Sequence, residues 1–136
     1  MGLSRPGDPI SHAIPKVGIV GPPADYRTTA GDTIGGEEYD VSVRMLSMLA
    51  PHPAIGLTSA VAVAAASSVA GGVVAKVMRT NGSETIRLGI AAGVLSVDLS
   101  RAASGALEAV TLHRAARRIA AAELFVAAPA LVPAAG

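Results

Sequence analysis

Pro51-His52-Pro53 places an imidazole between two prolines, just ahead of an uncharged stretch that runs from Pro53 to Ala75 and carries Thr58 and Ser59 near its start. If a helix begins there, its unpaired N–H groups and partial positive charge can hold a carboxylate. His52, Thr58 and Ser59 are then candidates for a substrate-facing surface. The alternative for these three is local: His52 caps a loop, and the hydroxyls bond to the backbone within the helix. A second candidate is Gly89-Ile90-Ala91-Ala92-Gly93. Gly89, Ala91, Ala92 and Gly93 offer backbone donors that can bind an oxyanion, with no polar side chain to help. A third is Thr28-Thr29, in a polar loop after Asp25-Tyr26-Arg27 that either lines a cleft or is solvated.

Other chemistry is excluded. The sequence contains no Cys, so disulfides, thiolate metal sites and a thiol catalyst are out of reach. No Gly-rich phosphate loop, metal-ligand cluster or Ser-His-Asp set can be assembled. Lys16 and Lys76 are the only lysines, and both fall in strand-like segments. No catalytic side chain, cofactor or metal is therefore assigned. His113, Arg114, Arg117 and Arg118 form a basic cluster, but without aromatics or a basic surround it reads as a polar turn. With a net charge of +1 there is no field to gather nucleic acid or anionic lipid. Asn81-Gly82-Ser83 matches a glycosylation sequon, but a hairpin explains it as well.

The elements that must position these residues follow from periodicity. Lys16 to Gly21 is a short apolar run stopped by Pro22-Pro23, which predicts a strand. Asp25 to Gly36 predicts a loop. Val41, Met45, Met48 and Leu49 recur at helical spacing after Glu37-Glu38, which predicts a helix ending at Pro51. A second helix, about Ala54 to Ala70, is apolar on every side and must be covered by other elements. Strands are expected at Val73 to Met78, Thr85 to Ile90, Val94 to Ser100, Leu107 to Arg114 and Glu123 to Ala127. Asn81-Gly82 signals a hairpin between the first two of these. The fold class expected is α+β, an antiparallel β-sheet wrapped around a central buried helix. Aromatics are only 2% of the sequence, so Ala and Val must fill the core. A buried Ala removes far less area from water than a Leu or Phe, each worth about 1.5–3 kcal/mol when fully buried. Marginal stability is expected.

Five motifs, in order, resemble one family: Ile14-Pro15-Lys16-Val17, Asp25-Tyr26-Arg27-Thr28-Thr29, Val43-Arg44-Met45-Leu46-Ser47-Met48, Gly89-Ile90-Ala91-Ala92-Gly93, and Arg114-Ala115-Ala116-Arg117-Arg118. Their order and spacing are similar to the C-terminal part of the PrpF family, the 2-methylaconitate cis-trans isomerases, whose fold resembles that of diaminopimelate epimerase. The resemblance covers roughly Ile14 to Val126. It implies an isomerase of unsaturated tricarboxylates that removes a carbon-bound proton and returns one, shifting the double bond without cofactor or metal. It also implies that the proton-transfer side chains, a Lys and a Cys, belong to an N-terminal half that is absent here. In the family the turn at Gly89–Gly93 is similar to Gly-His-Pro-Ser-Gly. Here both glycines match, while Ile90, Ala91 and Ala92 replace the polar residues. Leu49 and Ala121-Ala122 also stand where the family has Gly.

The expected organisation is a flexible lead-in over 1–13, a PrpF-like domain over 14–128 and a tail over 129–136. The N-terminus lacks the apolar core of a secretory signal, so a cytoplasmic home is expected. Two functional readings stand. In one the chain is the C-terminal part of a PrpF-like isomerase, contacting a small tricarboxylate only when completed by an N-terminal half. In the other it is a catalytically inactive, free-standing binding or oligomerisation module. A membrane span over Pro53 to Ala75 is least favoured, because the stretch is rich in Ala, Ser, Thr and Gly. Apolar surface left uncovered, with the uncharged segment after Glu123, predicts a homo-oligomer.

Overall fold

The structure, a computed structural model, describes residues 5–9, 15–48, 50–79, 83–113 and 116–125. Its centre is a six-stranded sheet. β1 (Val17–Gly21), β4 (Val41–Ser47), β6 (Thr85–Ile90), β7 (Gly93–Arg101) and β8 (Leu107–Leu112) lie side by side in that order, and β5 (Ala50–Pro51) adds to the end of β4. The short strands β2 (Tyr26–Arg27) and β3 (Thr33–Ile34) form a separate ribbon. Neighbouring strands are antiparallel except β4 and β6, which run parallel and pair Val41 with Leu88 and Ser42 with Gly89. The link between them holds both helices, α1 (Leu57–Ser67) and α2 (Val73–Val77). This is the crossover that a parallel pair requires. The α+β class, a sheet core with few helices, is as the sequence led one to expect.

One face of the sheet carries the core. Val41, Val43 and Met45 of β4, Ile86 and Leu88 of β6, and Val97 and Leu99 of β7 are all buried there against Ala60 and Ala64 of α1 and Val74 of α2. Small residues at 60 and 64 let α1 approach the strands closely. The helix spans Leu57–Ser67 rather than Ala54 to Ala70, and Leu57 and the following Val69 are exposed. Among the described residues no helix is long and apolar enough to cross a membrane.

The segment after Glu37 is a correction. Glu37 and Glu38 lie in a single 3-10 turn, Gly36–Glu38, and Val41–Ser47 is the central strand β4, not a helix. Positions 41 and 45 satisfy both periods, since four residues are two strand repeats and about one helical turn. Val43 decides it, because Val-Ser-Val-Arg-Met alternates buried and part-exposed, and β-branched residues suit a strand. Val73 to Met78 errs in the other direction: it forms α2, entered through Gly71 at φ +73° and Gly72. Five residues, apolar but for Lys76, do not distinguish the two structures by themselves. The hairpin expected at Asn81-Gly82 loses its first strand thereby, and those two residues lie outside the described ones. The strand expected over Glu123 to Ala127 is absent at 123–125, and 126–127 are outside the described residues. So are the whole 129–136 tail and, except for 5–9, the 1–13 lead-in.

The loop from Pro22 to Asp40 is pinned to the sheet by buried polar contacts. Asp40, 1% exposed, accepts Nε and Nη2 of Arg87 at 3.2 and 2.9 Å and the Arg87 backbone N–H at 2.8 Å. Arg79, after α2, donates its backbone N–H to the Asp40 carbonyl at 2.8 Å and its guanidinium to the carbonyls of Gly36 and Tyr39.

Candidate functional site

β6 and β7 form a hairpin in which Ile90 pairs with Gly93, leaving Ala91 and Ala92 as its tip. Gly93 has φ +139°, a backbone state that a side chain would strain. The polar loop is drawn onto this tip. Thr29 donates its N–H to the Ala91 carbonyl at 2.8 Å, and the Tyr26 hydroxyl lies 2.6 Å from the Gly93 carbonyl and 2.9 Å from that of Ile90, sharing one proton between them. Thr28 is buried. Its N–H donates to the Asp32 carbonyl at 2.8 Å and its hydroxyl oxygen accepts the Asp32 N–H at 3.1 Å, so Thr28 shapes the loop. Thr29 is exposed beside the tip. Two of the three sequence-derived candidates, Gly89–Gly93 and Thr28-Thr29, are thus brought side by side.

Arg44 joins them. Its guanidinium carbon sits 4.6 Å from the centroid of the Tyr26 ring, and Nη1 donates to the carbonyls of Gly89 at 2.8 Å and Val43 at 2.9 Å. The Tyr39 ring meets Tyr26 edge-on, with centroids 5.5 Å apart, and its hydroxyl donates to the Ala24 carbonyl at 2.6 Å. Burial pushes the Tyr26 phenol above its usual pKa of 10.0, with Arg44 opposing and Tyr39 and Glu38 adding to the rise. It therefore stays a neutral donor through the physiological range. A guanidinium over an aromatic ring is a planar cation of the kind that suits a carboxylate ligand. Sequence reasoning missed this role, since it read the segment as a helix and did not count Arg44 among the candidates. The signal was present, because Tyr26 and Arg44 both lie in the motifs.

The remaining candidates stand elsewhere. His52 donates its backbone N–H to the Met45 carbonyl at 2.8 Å, while its Nδ1 accepts the Ala54 N–H at 3.0 Å. That bond assigns the proton of the neutral ring to Nε2. Gly56 precedes α1 without a side-chain cap, Thr58 is exposed, and Ser59 is half-buried. Ser59 lines a groove of about 410 Å³ between the helices and the β1–β4 edge, with Lys16, Gly18, Val20, Met45 and Val63 among its walls. Consecutive residues of β4 divide the two sets: Met45 lines the groove on the helix face, whereas Arg44 stacks on Tyr26 on the other. Of the basic cluster, Arg114 lies outside the described residues and Arg117 and Arg118 are exposed outside any element. His113 bonds Asp98 through Nε2 at 2.6 Å. Among the described residues no cluster of three His, Asp or Glu side chains is placed to hold a metal ion.

Comparison with known proteins points one way. The family model described as PrpF protein matches residues 1–127. The 3-methylitaconate isomerase of Eubacterium barkeri is 35% identical over 111 residues, 80% of this chain and 29% of the relative. The 2-methyl-aconitate isomerase of Shewanella oneidensis is 36% identical over 83 residues, 61% of this chain and 21% of the relative. The putative isomerase YraM of Bacillus subtilis is 35% identical over 86 residues, 63% of this chain and 23% of the relative. A crystal structure of methylitaconate-delta-isomerase superposes with a TM-score of 0.65 at 31% identity, covering 72% of this chain and 26% of that one. The chain thus spans about a quarter of the length of the relatives it matches.

Proposed function

The chain belongs to the PrpF family, and we propose that it forms part of a cofactor-free isomerase of unsaturated di- or tricarboxylates, of the methylitaconate or 2-methylaconitate type. The observation that carries this reading is its 35–36% identity to proteins named 3-methylitaconate and 2-methyl-aconitate isomerase. Allylic isomerisation needs a group that removes a carbon-bound proton, a group that returns one, and fixed positive charge or donors for the enolate formed between. This chain supplies the last of these. Arg44, beside Thr29 and the Gly89–Gly93 tip, offers one cationic contact for a carboxylate; Lys16 and Ser59, which line the groove along α1, offer another. The groups that move the proton belong to the part of the fold that this chain does not span, so the chain alone does not turn over.

Amide shifts of the isotope-labelled chain, followed while 2-methylaconitate or 3-methylitaconate is added, test the reading. Arg44, Thr29 and Gly89–Gly93 should move together, Arg44→Met should abolish the movement, and neither acid should be converted. Turnover by the isolated chain that disappears in Lys16→Ala or His52→Ala would overturn the division of labour. A second reading, an inactive binding or oligomerisation module, is favoured by the apolar side chains at Ile90, Ala91 and Ala92. Absence of any shift with either acid would select it.

A further inference from the structure

Tyr26 touches both Arg44 and the β6–β7 tip. Its hydroxyl reaches the carbonyls of Ile90 at 2.9 Å and Gly93 at 2.6 Å, the two residues that flank the tip. Its ring centroid lies 4.6 Å from the guanidinium carbon of Arg44. The ring is itself held, because Tyr39 packs edge-on against it and β2 pairs Tyr26 with Ile34 of β3. Arg44 is fixed from a second side. β4 and β6 pair at Val41–Leu88 and Ser42–Gly89, and just beyond that point Nη1 of Arg44 bridges the two strands by donating to the carbonyls of Val43 and Gly89. Nε and Nη2 make no hydrogen bond among the described residues. Those two nitrogens form one edge of the planar guanidinium, a fork that matches the two oxygens of a carboxylate.

We propose that Tyr26 is a positioning residue: it holds Arg44 with the Nε–Nη2 edge free for a carboxylate, and holds that edge at a fixed place relative to the Ile90–Gly93 tip. The two roles fall on different atoms. The ring holds Arg44 through the attraction of a cation for an aromatic face. The hydroxyl holds the tip, since its oxygen lies within hydrogen-bond distance of the carbonyls on either side of Ala91 and Ala92. An arginine side chain is long and rotamer-rich, and a ligand that must first order it binds more weakly than one that meets it already in place. Phenylalanine at position 26 would keep the first role and lose the second; an aliphatic residue would lose both. This role rests on the reading of Arg44 as a carboxylate contact, and it explains why the polar loop, the tip and the cation act as a unit.

NMR of the isotope-labelled chain separates the two roles without any ligand. The Arg44 Nε–H and δ-methylene protons should carry an upfield ring-current shift in the parent and in Tyr26→Phe, and should return to ordinary arginine positions in Tyr26→Leu. Nitrogen relaxation should show Ala91 and Ala92 more mobile in both variants, since both lose the hydroxyl. Titration with 2-methylaconitate, 3-methylitaconate and succinate, the last as a plain carboxylate probe, reads the consequence. Affinity for the acid that the parent binds should fall about tenfold in Tyr26→Leu, the loss of one cation–π contact. Tyr26→Phe should recover part of it, and Arg44→Lys, which keeps the charge without the fork, should weaken binding as well. Arg44 protons that stay at their parent positions in Tyr26→Leu, or a tip no more mobile in Tyr26→Phe, would overturn the role. So would parent affinity in Tyr26→Leu beside a loss in Arg44→Lys, because Arg44 would then bind without being positioned. Binding of succinate alone, with the same loss in Tyr26→Leu, would uphold the role of Tyr26 and overturn the isomerase reading instead. Binding of none of the three acids would overturn both.

Discussion

The ring of Tyr39 occupies the space that a side chain on Gly89 would need: a Cβ built there lies 2.5 Å from the Cδ2 and Cε2 atoms of the ring. Tyr39 is 1% exposed and tied through its hydroxyl to the backbone of Ala24, so it cannot swing aside. The glycine at 89 therefore has a packing reason that is independent of any ligand. It leaves room for the Tyr39 ring, which in turn packs edge-on against Tyr26.

Gly89→Ala should accordingly destabilise the chain by about 1–3 kcal/mol, the usual cost of overpacking a filled site. Equilibrium urea unfolding measures this. A midpoint equal to the parent's would mean that the ring does not rest on β6.

The Asp40–Arg87 contact makes a second prediction. Asp40→Ala leaves the Arg87 N–H without its carboxylate and removes two charge-assisted bonds from the guanidinium. Hydrogen bonds to charged groups contribute about 1.5–3 kcal/mol, and the Arg87 side chain, 36% exposed, can recover part of this from water. The loss should therefore lie toward the lower figure, with hydrogen exchange quickening first at the Arg87 amide, which loses its carboxylate acceptor, and at the Asp40 amide, which donates to the Arg87 carbonyl at 2.8 Å. Unaltered protection there would refute the pairing.

The sheet was legible where one face alternates cleanly. Ile86, Leu88 and Ile90 in β6, and Leu95, Val97 and Leu99 in β7, point one way between polar neighbours, and both strands fall where expected. β4 and α2 were not, because Val41 and Met45 fit two periods and Val73–Val77 is too short to show any. The site was legible in halves. Gly89–Gly93 and Thr28-Thr29 could be named separately from their turn residues, but only the fold shows that Thr29 and Tyr26 close on the hairpin tip. Arg44 escaped because its place comes from a contact with a ring 18 positions away, which the helix expected for its segment does not reveal.

The central helix yields a contrast between neighbours. Ala64 is fully buried against the sheet, whereas Val63, one residue before it, faces the open groove. A carboxylate at 64 would be stranded without a partner, so Ala64→Glu should cost several kcal/mol, of the order of about 3, and abolish cooperative melting in so lightly packed a core. Val63→Glu can reach water through the groove and lies on the side of Lys16, and should cost less than half as much. Thermal melts of the two variants side by side decide the matter. Equal losses would mean that the groove is closed and α1 is covered all round.

Acid sensitivity provides the last prediction. The Asp98 carboxylate is held below its usual value of 3.8, first by the Thr85 hydroxyl, which donates to it at 2.6 Å, and then by His113. A carboxylate whose pKa is depressed by folding contributes stability that is complete above the unfolded value and fades as the pH falls through the folded one. The contribution should therefore be constant at neutral pH and disappear only below about pH 4. Thr85→Val should raise the Asp98 pKa toward 3.8 and move the acid-unfolding midpoint upward, and His113→Ala should do both to a smaller extent. Carboxyl-carbon NMR titration of Asp98 in the three proteins measures the order directly. A larger shift from His113→Ala than from Thr85→Val would show that the ion pair, rather than the cross-strand hydroxyl, holds the proton off Asp98.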